Sequence, residues 1–263
     1  MELKNGILPN TLQRKRGYWN FQFDNYLRTA YPPIEKKLEL YTINSNRMNR
    51  VLKIYKILFD YFGPQHWWPA DTEFEIIVGA ILMPQTLWSN VEKTIKNLKQ
   101  AGLMTPNAIA KTHISRLKSL VKLVGFSQSK PRRLKNLSKY MMEVSDGDLN
   151  EFLTREPSIL RQDLLSLEGI GPEIADSILL YAAKVPIFVV DTYTKRIGIR
   201  VGLFSFDRYD MIQEFFMKNV PKDYCIYKEY HALLVALAKE TCRLKPRCDL
   251  CPLINMCDYV ESR

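Results

Sequence analysis

A short turn containing two glycines, Gly169-Ile170-Gly171, is the feature that most constrains the fold of this chain. It separates two stretches whose apolar residues recur at helical spacing, and Pro172 suits the first turn of the second helix. Glycine permits a positive φ and close backbone approach, and the free N–H groups at a helix start can hold a phosphate oxygen. The pattern predicts a hairpin of two packed helices with Gly169 and Gly171 as phosphate contacts, and an ordinary αα-hairpin is the alternative.

Helical periodicity continues through much of the remaining chain, without a run of alternating strands and without an internal repeat. Loops rich in Gly, Pro, Ser or Asp separate the helical stretches. Before the hairpin, helices are expected at roughly 47–62, 73–86, 89–101, 106–111, 113–123, 130–143, 148–153 and 157–165. The sequence therefore predicts an all-α protein. Residues 1–46 are mixed and aromatic-rich, and their pattern assigns them no role.

The chain carries a net charge of +10, which favours a polyanionic partner such as nucleic acid, although solubility alone is the simpler explanation. Between Lys111 and Met142 there are nine Lys or Arg residues and no Asp or Glu. A charge run is usually a solvated helix face, but the complete lack of acids favours contact with phosphates. Lys130, Arg132 and Arg133 are the candidate residues for that contact.

Asp191 follows the apolar run VPIFVV, so its carboxylate is expected to be partly buried. Burial of a charge is costly unless the charge has a partner or a chemical purpose. Aspartate is also a favoured N-cap, and a helix is predicted directly after it. The two interpretations are compatible.

Four of the five cysteines lie close together near the end of the chain, at Cys242, Cys248, Cys251 and Cys257. Four thiolates at this spacing can bind one [4Fe–4S] cluster or one Zn²⁺ ion, and the spacing alone does not decide between them. The fifth, Cys225, is expected to be a buried apolar residue.

No segment has the roughly 18 apolar residues needed to cross a membrane, and the N-terminus lacks the pattern of a secretory signal. We therefore expect no membrane partner and an intracellular, cytoplasmic protein.

Several motifs together resemble the helix-hairpin-helix DNA glycosylase superfamily, and endonuclease III in particular. They are GAILMPQT, VGFSQSKPRRL, the hairpin LEGIGPEIA, VVDTYTKRI and the cysteine tail, and the resemblance extends over about residues 65–257. It implies two helical domains with a DNA cleft between them: a helical bundle at 66–184, and a domain at 185–263 that the N-terminal segment 1–65 joins. It also implies that Asp191 is the catalytic carboxylate, and it favours [4Fe–4S] over zinc at the cysteines.

Glu173 departs from the pattern of bifunctional proteins that resemble endonuclease III, which carry a lysine at this position. That lysine forms a Schiff base with the sugar and permits strand cleavage, which a glutamate cannot do because it has no amine. The departure predicts a monofunctional glycosylase with water as the nucleophile. A surface residue in the first turn of a helix is the alternative interpretation of Glu173.

The stretches HWWP, FEIIVGAILMPQTLW and GIGPEIAD resemble the bacterial 3-methyladenine DNA glycosylase III subgroup more closely. This resemblance implies that Trp67 and Trp88 sandwich the flipped base, with Trp68 and Pro69 at its edge. Gln85 stands where the family places a residue that fills the gap left in the duplex. A cationic alkylated purine would bind well to indole faces, whereas core packing is the alternative role for the tryptophans. The chain differs from the subgroup in Pro84 and in its cysteine loop.

These observations predict a monomer that acts on damaged double-stranded DNA and excises alkylated purines such as 3-methyladenine or 7-methylguanine. The same fold acting on deaminated, mismatched or oxidised bases is one alternative. A protein that binds lesions without catalysis is another.

Overall fold

The computed structural model describes residues 49–261, and within this range the chain forms helices and loops without a β-strand, as predicted. The N-terminal segment 1–65, which is predicted to join the second domain, lies largely outside the described residues. The helices are α1 (Arg50–Phe62), α2 (Glu73–Leu82), α3 (Trp88–Gln100), α4 (Pro106–Lys111), α5 (Ile114–Leu120), α6 (Ser129–Ser145), α7 (Leu149–Leu153), α8 (Pro157–Ser166), α9 (Pro172–Ser177), α10 (Thr192–Arg200), α11 (Tyr209–Asn219), α12 (Tyr224–Glu240) and α13 (Asp258–Glu261).

Most helix starts are fixed by a side-chain cap that accepts a backbone N–H left free at the helix end. Thr72 caps α2 through the N–H of Glu75, and Asp223 caps α12 through two N–H groups. α9 has no side-chain cap and begins instead with Pro172, whose fixed φ suits that position. The helix continues without a break from α9 into a π-helical turn, Ile178–Ala182.

One apolar core joins α2 to α9 and the π turn, and its buried members lie between Phe74 and Ala182. A second buried region gathers aromatic rings around α12. There Tyr55 of α1 meets the ring of Tyr230 edge-on at 5.2 Å, and Phe188 stacks on Phe216 with their ring centroids 4.2 Å apart. Phe216 of α11 also meets the ring of Tyr230 edge-on at 5.6 Å. Such ring pairs bury large apolar areas in preferred geometries, so they hold α1 and α11 against α12.

A buried carboxylate ties the second helix of the hairpin to α11. Asp176 of α9 is fully buried and accepts two hydrogen bonds from the guanidinium of Arg161, at 2.6 and 3.0 Å. It also accepts from the hydroxyl of Tyr209 at 2.8 Å and from the amide of Gln213 at 2.7 Å. These four bonds fix α9 relative to α8 and α11.

Within the described residues, no helix is both long and apolar enough to cross a membrane. The domain boundaries at residues 66 and 185 stay a prediction.

Candidate active site

Asp191 stands at the start of α10, where its carboxylate acts as the N-cap. Oδ1 accepts the backbone N–H of Thr194 at 2.7 Å, and Oδ2 lies 3.5 Å from Nε2 of His231. The carboxylate is mostly buried, with 13% of the side chain exposed. Burial by itself raises the pKa of Asp191, but hydrogen bonding and charge attraction from His231, together with the Thr194 N–H, hold the pKa below its ordinary value. The side chain is therefore an ionised, oriented carboxylate at neutral pH.

His231 is a neighbour of Asp191 that the sequence analysis did not identify. It lies in the middle of α12, 40 positions further along the chain, and is buried. Its Nδ1 is 2.6 Å from the hydroxyl oxygen of Tyr181. Tyr181 lies in the π turn, which belongs to the first apolar core. Sequence spacing gave no sign of this contact, because none of the three histidines is adjacent to Asp191 in the chain.

Glu173 lies in the first turn of α9 and faces the same carboxylate. The side chain keeps solvent-accessible surface, yet it is densely surrounded by protein atoms, as is expected for a residue in a cleft. This desolvation and the negative charge of Asp191 raise the pKa of Glu173, while His231 and Lys195 oppose the rise. Glu173 is therefore an exposed residue in the first turn of α9 whose charge is coupled to that of Asp191, and both interpretations of it stay open.

The structure brings the three predicted base-binding tryptophans into one cluster. The ring centroids of Trp67 and Trp88 are 4.6 Å apart, and those of Trp67 and Trp68 are 5.0 Å apart. Trp67 and Trp88 meet edge-to-face at 65°, so no planar base fits between them in this arrangement. The two rings must become parallel and also move apart before the predicted sandwich can form. Pro69 follows Trp68 and is half-buried.

Trp68 and Trp88 also pack against the apolar core, and two features of their surroundings bear on whether they bind a ligand. The indole N–H groups of Trp68 and Trp88 are buried without a hydrogen-bond partner among the described residues, which is unusual for a buried donor unless it serves a bound molecule. Trp68 also packs against the backbone of Gly79, where an added Cβ would lie 2.9 Å from the indole. Trp68 then meets the ring of Tyr181 at 5.3 Å, so the cluster adjoins the neighbours of Asp191.

The glycine hairpin connects α8 to α9 as predicted, but its two glycines differ. Gly169 has a φ of +80°, and the side chain of Arg133 occupies the place of a Cβ. Gly171 is extended, with a φ of −94°, and nothing lies near the place of its Cβ. Gly169 therefore meets a conformational need, while Gly171 leaves the approach to the start of α9 open.

Lys130 does not take the place that the charge run suggested, and its assignment as a phosphate contact is corrected here. Its side chain is 1% exposed, and Nζ donates to the carbonyl oxygens of Leu82, Pro84 and Val124 at 2.8, 2.8 and 2.9 Å. All three donors of the ammonium group are thus used inside the protein. Of the other two candidates, Arg132 is exposed and Arg133 is half-buried beside the hairpin.

Because Lys130 bonds to Pro84 and Val124, it joins two loops that project outward. The first contains Gln85, which is exposed and has a φ of +56°, and the second contains Phe126, which is 53% exposed with a φ of +49°. Leu87, next to the first turn of α3, is 70% exposed. Exposed apolar side chains on fixed loops are suited to insert between base steps of a duplex.

The four tail cysteines line a single cavity beside the C-terminal end of α10. Apolar residues such as Val201 and Leu237 complete its wall. Cys242 and Cys257 are buried, Cys248 and Cys251 are half-buried, and Cys225 is buried elsewhere, in α12. In the described part of the chain, no three Cys, His, Asp or Glu side chains are gathered closely enough to hold a single metal ion. The donor set and the apolar cavity fit a thiolate-bound group.

Two arginines attach α10 to this cysteine loop. Arg196 donates to the carbonyl of Cys242 at 3.0 and 3.1 Å, and Arg200 donates to the carbonyl of Leu244 at 3.0 Å and approaches the Cys242 sulfur at 3.5 Å. The helix that begins at Asp191 is thus held at its other end by the cysteine loop.

Comparison with known proteins agrees with this arrangement. Residues 78–222 match the sequence profile of the HhH-GPD superfamily of base excision DNA repair proteins. The chain belongs to this superfamily. It is 47% identical over 218 residues to the candidate DNA repair glycosylase MJ1434 of Methanocaldococcus jannaschii, covering 82% of this chain and 99% of that protein.

Two solved structures that are similar to this chain extend the comparison. The crystal structure of Helicobacter pylori 3-methyladenine DNA glycosylase bound to 1,N6-ethenoadenine superposes with a TM-score of 0.66 and 28% identity, covering 72% of this chain and 97% of that one. A trapped endonuclease III–DNA covalent intermediate has a TM-score of 0.71 at 22% identity, covering 82% and 99%, which establishes the shared fold. The chain is a base excision repair DNA glycosylase with the helical endonuclease III fold.

Proposed function

We propose that this glycosylase is monofunctional and hydrolyses the N-glycosidic bond of a flipped alkylated purine, such as 3-methyladenine or 7-methylguanine, in double-stranded DNA. The observation that carries the proposal is the continuity between the tryptophan cluster and the carboxylate. Trp68 contacts Tyr181, Tyr181 contacts His231, and His231 faces Asp191. This continuity supports a pose in which a base held by the indoles has its sugar near the ionised carboxylate.

Cleavage of the bond between base and sugar develops positive charge on the sugar ring. Asp191 supplies a fixed negative charge, which stabilises that transition state and can orient a water molecule. The desolvated surroundings strengthen this attraction, because the effective dielectric constant is lower than in water. An alkylated purine is already a cationic leaving group, so the reaction does not require a strong general acid.

The tryptophans supply the selectivity for a cationic base. A cation over an indole face gains about 0.5–2 kcal/mol, and more as water is excluded. The two unpaired indole N–H groups can donate to acceptor atoms on the purine, which would satisfy buried donors. The neighbour from H. pylori was crystallised with a modified adenine, which supports a purine ligand.

Three groups of residues outside the pocket contact the DNA in this proposal. The N–H groups at the start of α9, with Gly169 and Gly171 beside them, are suited to a phosphate. Arg132 and Arg133 add positive charge next to the hairpin. Gln85 enters the duplex where the damaged base has left.

The absence of an amine at position 173 supports hydrolysis without strand cleavage. Glu173 cannot form a Schiff base with the sugar, because its carboxylate carries no amine. Borohydride trapping on DNA from which the base has been released tests this. Efficient formation of a covalent protein–DNA adduct would contradict it.

Cys242, Cys248, Cys251 and Cys257 would bind the iron atoms of one [4Fe–4S] cluster, and zinc is the alternative. The cluster would supply four strong cross-links within the loop, and through Arg196 and Arg200 it would fix the end of α10. Absorbance near 400 nm together with iron and zinc analysis of the purified protein separates the two metals.

The test of the main proposal is a panel of duplex oligonucleotides, each with one defined lesion. We expect release of 3-methyladenine and 7-methylguanine, and at least about a 100-fold loss of release in Asp191→Asn with binding retained. Asp210→Asn is the matched control, since Asp210 is exposed and pairs only locally with Arg208. Failure on both alkylated bases alongside release of uracil or mismatched thymine would favour the deaminated-base alternative. Unchanged binding without any base release by the wild type would favour a lesion binder.

A further inference from the structure

The contact between His231 and Asp191 has no counterpart in the sequence motifs, and its chemistry can be worked out from the hydrogen bonds. The carboxylate of Asp191 accepts the Thr194 N–H through Oδ1, which leaves Oδ2 toward Nε2 of His231. An ionised carboxylate can only accept hydrogen bonds. Nε2 is buried, lies 3.5 Å from Oδ2, longer than an ordinary hydrogen bond, and has no hydrogen-bond partner among the described residues. A proton on Nε2 makes this approach attractive, whereas two facing lone pairs would repel.

The other ring nitrogen indicates how that proton is kept in place. Nδ1 lies 2.6 Å from the Tyr181 hydroxyl oxygen, whereas the Lys228 carbonyl oxygen, a second possible acceptor for that hydroxyl, lies at the long distance of 3.5 Å. Burial, with the charges of Asp191 and Glu229, raises the pKa of Tyr181 well above its ordinary value, so the phenol stays protonated. The hydroxyl therefore donates to Nδ1, which selects the tautomer with hydrogen on Nε2.

Charged and titratable groups surround this pair on every element packed against it. Asp191 approaches from the start of α10 and Tyr181 from the π turn, while Glu173 of α9 is coupled to both Asp191 and His231. From α12 itself, Lys239 is attracted to Asp191, and Glu229 acts on Tyr181. Burial and the negative charge of Glu229 raise the pKa of Tyr55 in α1. Of these groups, His231 approaches Asp191 directly, and Tyr181 is connected to Asp191 through His231.

We propose that His231 is a positioning residue for the glycosylase reaction: Nε2–H orients the Asp191 carboxylate and keeps it ionised, and the Tyr181 hydroxyl fixes the required tautomer. The catalytic part rests on the proposed function. As positive charge grows on the sugar, Asp191 must stay unprotonated and aimed at it. Loss of the Nε2–H would leave only the Thr194 hydrogen bonding to oppose the effect of burial, so Asp191 would take up a proton at higher pH.

The first test is the pH dependence of single-turnover base release by two variants at position 231. His231→Gln keeps an N–H donor at about the reach of Nε2, whereas His231→Leu removes it and preserves bulk. In His231→Leu the acid limb of the profile should move up by about one pH unit, so that release falls further at pH 5.5 than at pH 8. His231→Gln should restore the wild-type limb. Equal losses at all pH values in both variants would show a merely structural role and overturn the proposal.

The second test needs no activity. Long-range ¹H–¹⁵N correlation spectra of the free protein report which nitrogen of each histidine carries hydrogen, and only three histidines are present. His66→Gln and His113→Gln assign the other two. At pH 8 we expect His231 protonated at Nε2 alone, and a mixture of tautomers in Tyr181→Phe. Protonation of Nδ1 in the wild type, or no change in Tyr181→Phe, would overturn the proposal.

The two failures can be told apart. If the wild type releases no base from any lesion, the proposed function is wrong, whatever the spectra show. If the wild type releases alkylated bases and the pH profiles of the wild type and His231→Leu run parallel, the function stands and the role of His231 is wrong.

Discussion

Removal of the Asp176 carboxylate should destabilise the protein more than any other single loss of charge in the hairpin. The side chain is 0% exposed and accepts four hydrogen bonds, two of them from Arg161. Breaking a buried ion pair by removing one partner costs about 3–5 kcal/mol, because the remaining charge is left unpaired. Arg161 is 31% exposed and can partly rehydrate, so we expect about 3 kcal/mol for Asp176→Ala.

Urea denaturation followed by far-ultraviolet circular dichroism measures this loss, and a thermal melt should show a midpoint lower by about 6–12 °C. Asp210→Asn again serves as the control, because its partner Arg208 is also exposed and such pairs contribute less than about 1 kcal/mol. DNA affinity should fall as well, since Asp176 fixes the helix that presents the hairpin. A loss below about 1 kcal/mol for Asp176→Ala would refute the reasoning.

Four other changes test separate parts of the structure. Gly79→Ala should displace the Trp68 indole and slow base release, measured by single-turnover kinetics, with little effect on DNA affinity. Gly169→Ala strains a backbone with a φ of +80° and disturbs Arg133, so it should weaken DNA binding, measured in a fluorescence titration. Gly171→Ala should leave the stability of the protein unchanged, because nothing lies near the place of the added Cβ. Burial raises the pKa of Glu229 from 4.5 to about 7, so the fold binds a proton that the unfolded chain releases, and the free energy of unfolding should fall as pH rises between these values. Glu229→Gln should remove that slope in urea titrations and stabilise the protein at pH 8 by at most about 3 kcal/mol. Cys257→Ser should reduce bound iron and, through Arg200, lower base release.

Local patterns predicted the helices well because each depends on a few adjacent residues. The expected helix at 106–111 has those bounds in the structure, and the cap at Asp191 is the one expected from its residue type. The helix expected at 73–86 ends at Leu82 instead, because Pro84 cannot donate to a continuing helix and Gln85 takes a left-handed conformation.

The interpretation of the charge run was wrong for Lys130, for a reason that the sequence does not contain, and it stays a prediction for Arg132 and Arg133. Lysine side chains are flexible enough to reach inward, and three carbonyl oxygens at loop ends offer a buried ammonium group all the partners it needs. Lys135 likewise donates to the carbonyls of Ala110 and Thr112. Counting charges therefore overestimated the surface available to phosphate.

The environment of Asp191 could not be predicted because it is assembled from separate parts of the chain. His231 sits in an apolar helix, where a single histidine is easily taken for a core residue, and Tyr181 lies in a π turn that no local pattern announces. A π turn inserts one extra residue into a helix and so rotates the residues after it. In this chain that turn carries Tyr181, which contacts both Trp68 and His231. The same turn therefore links the tryptophan cluster to the neighbours of Asp191.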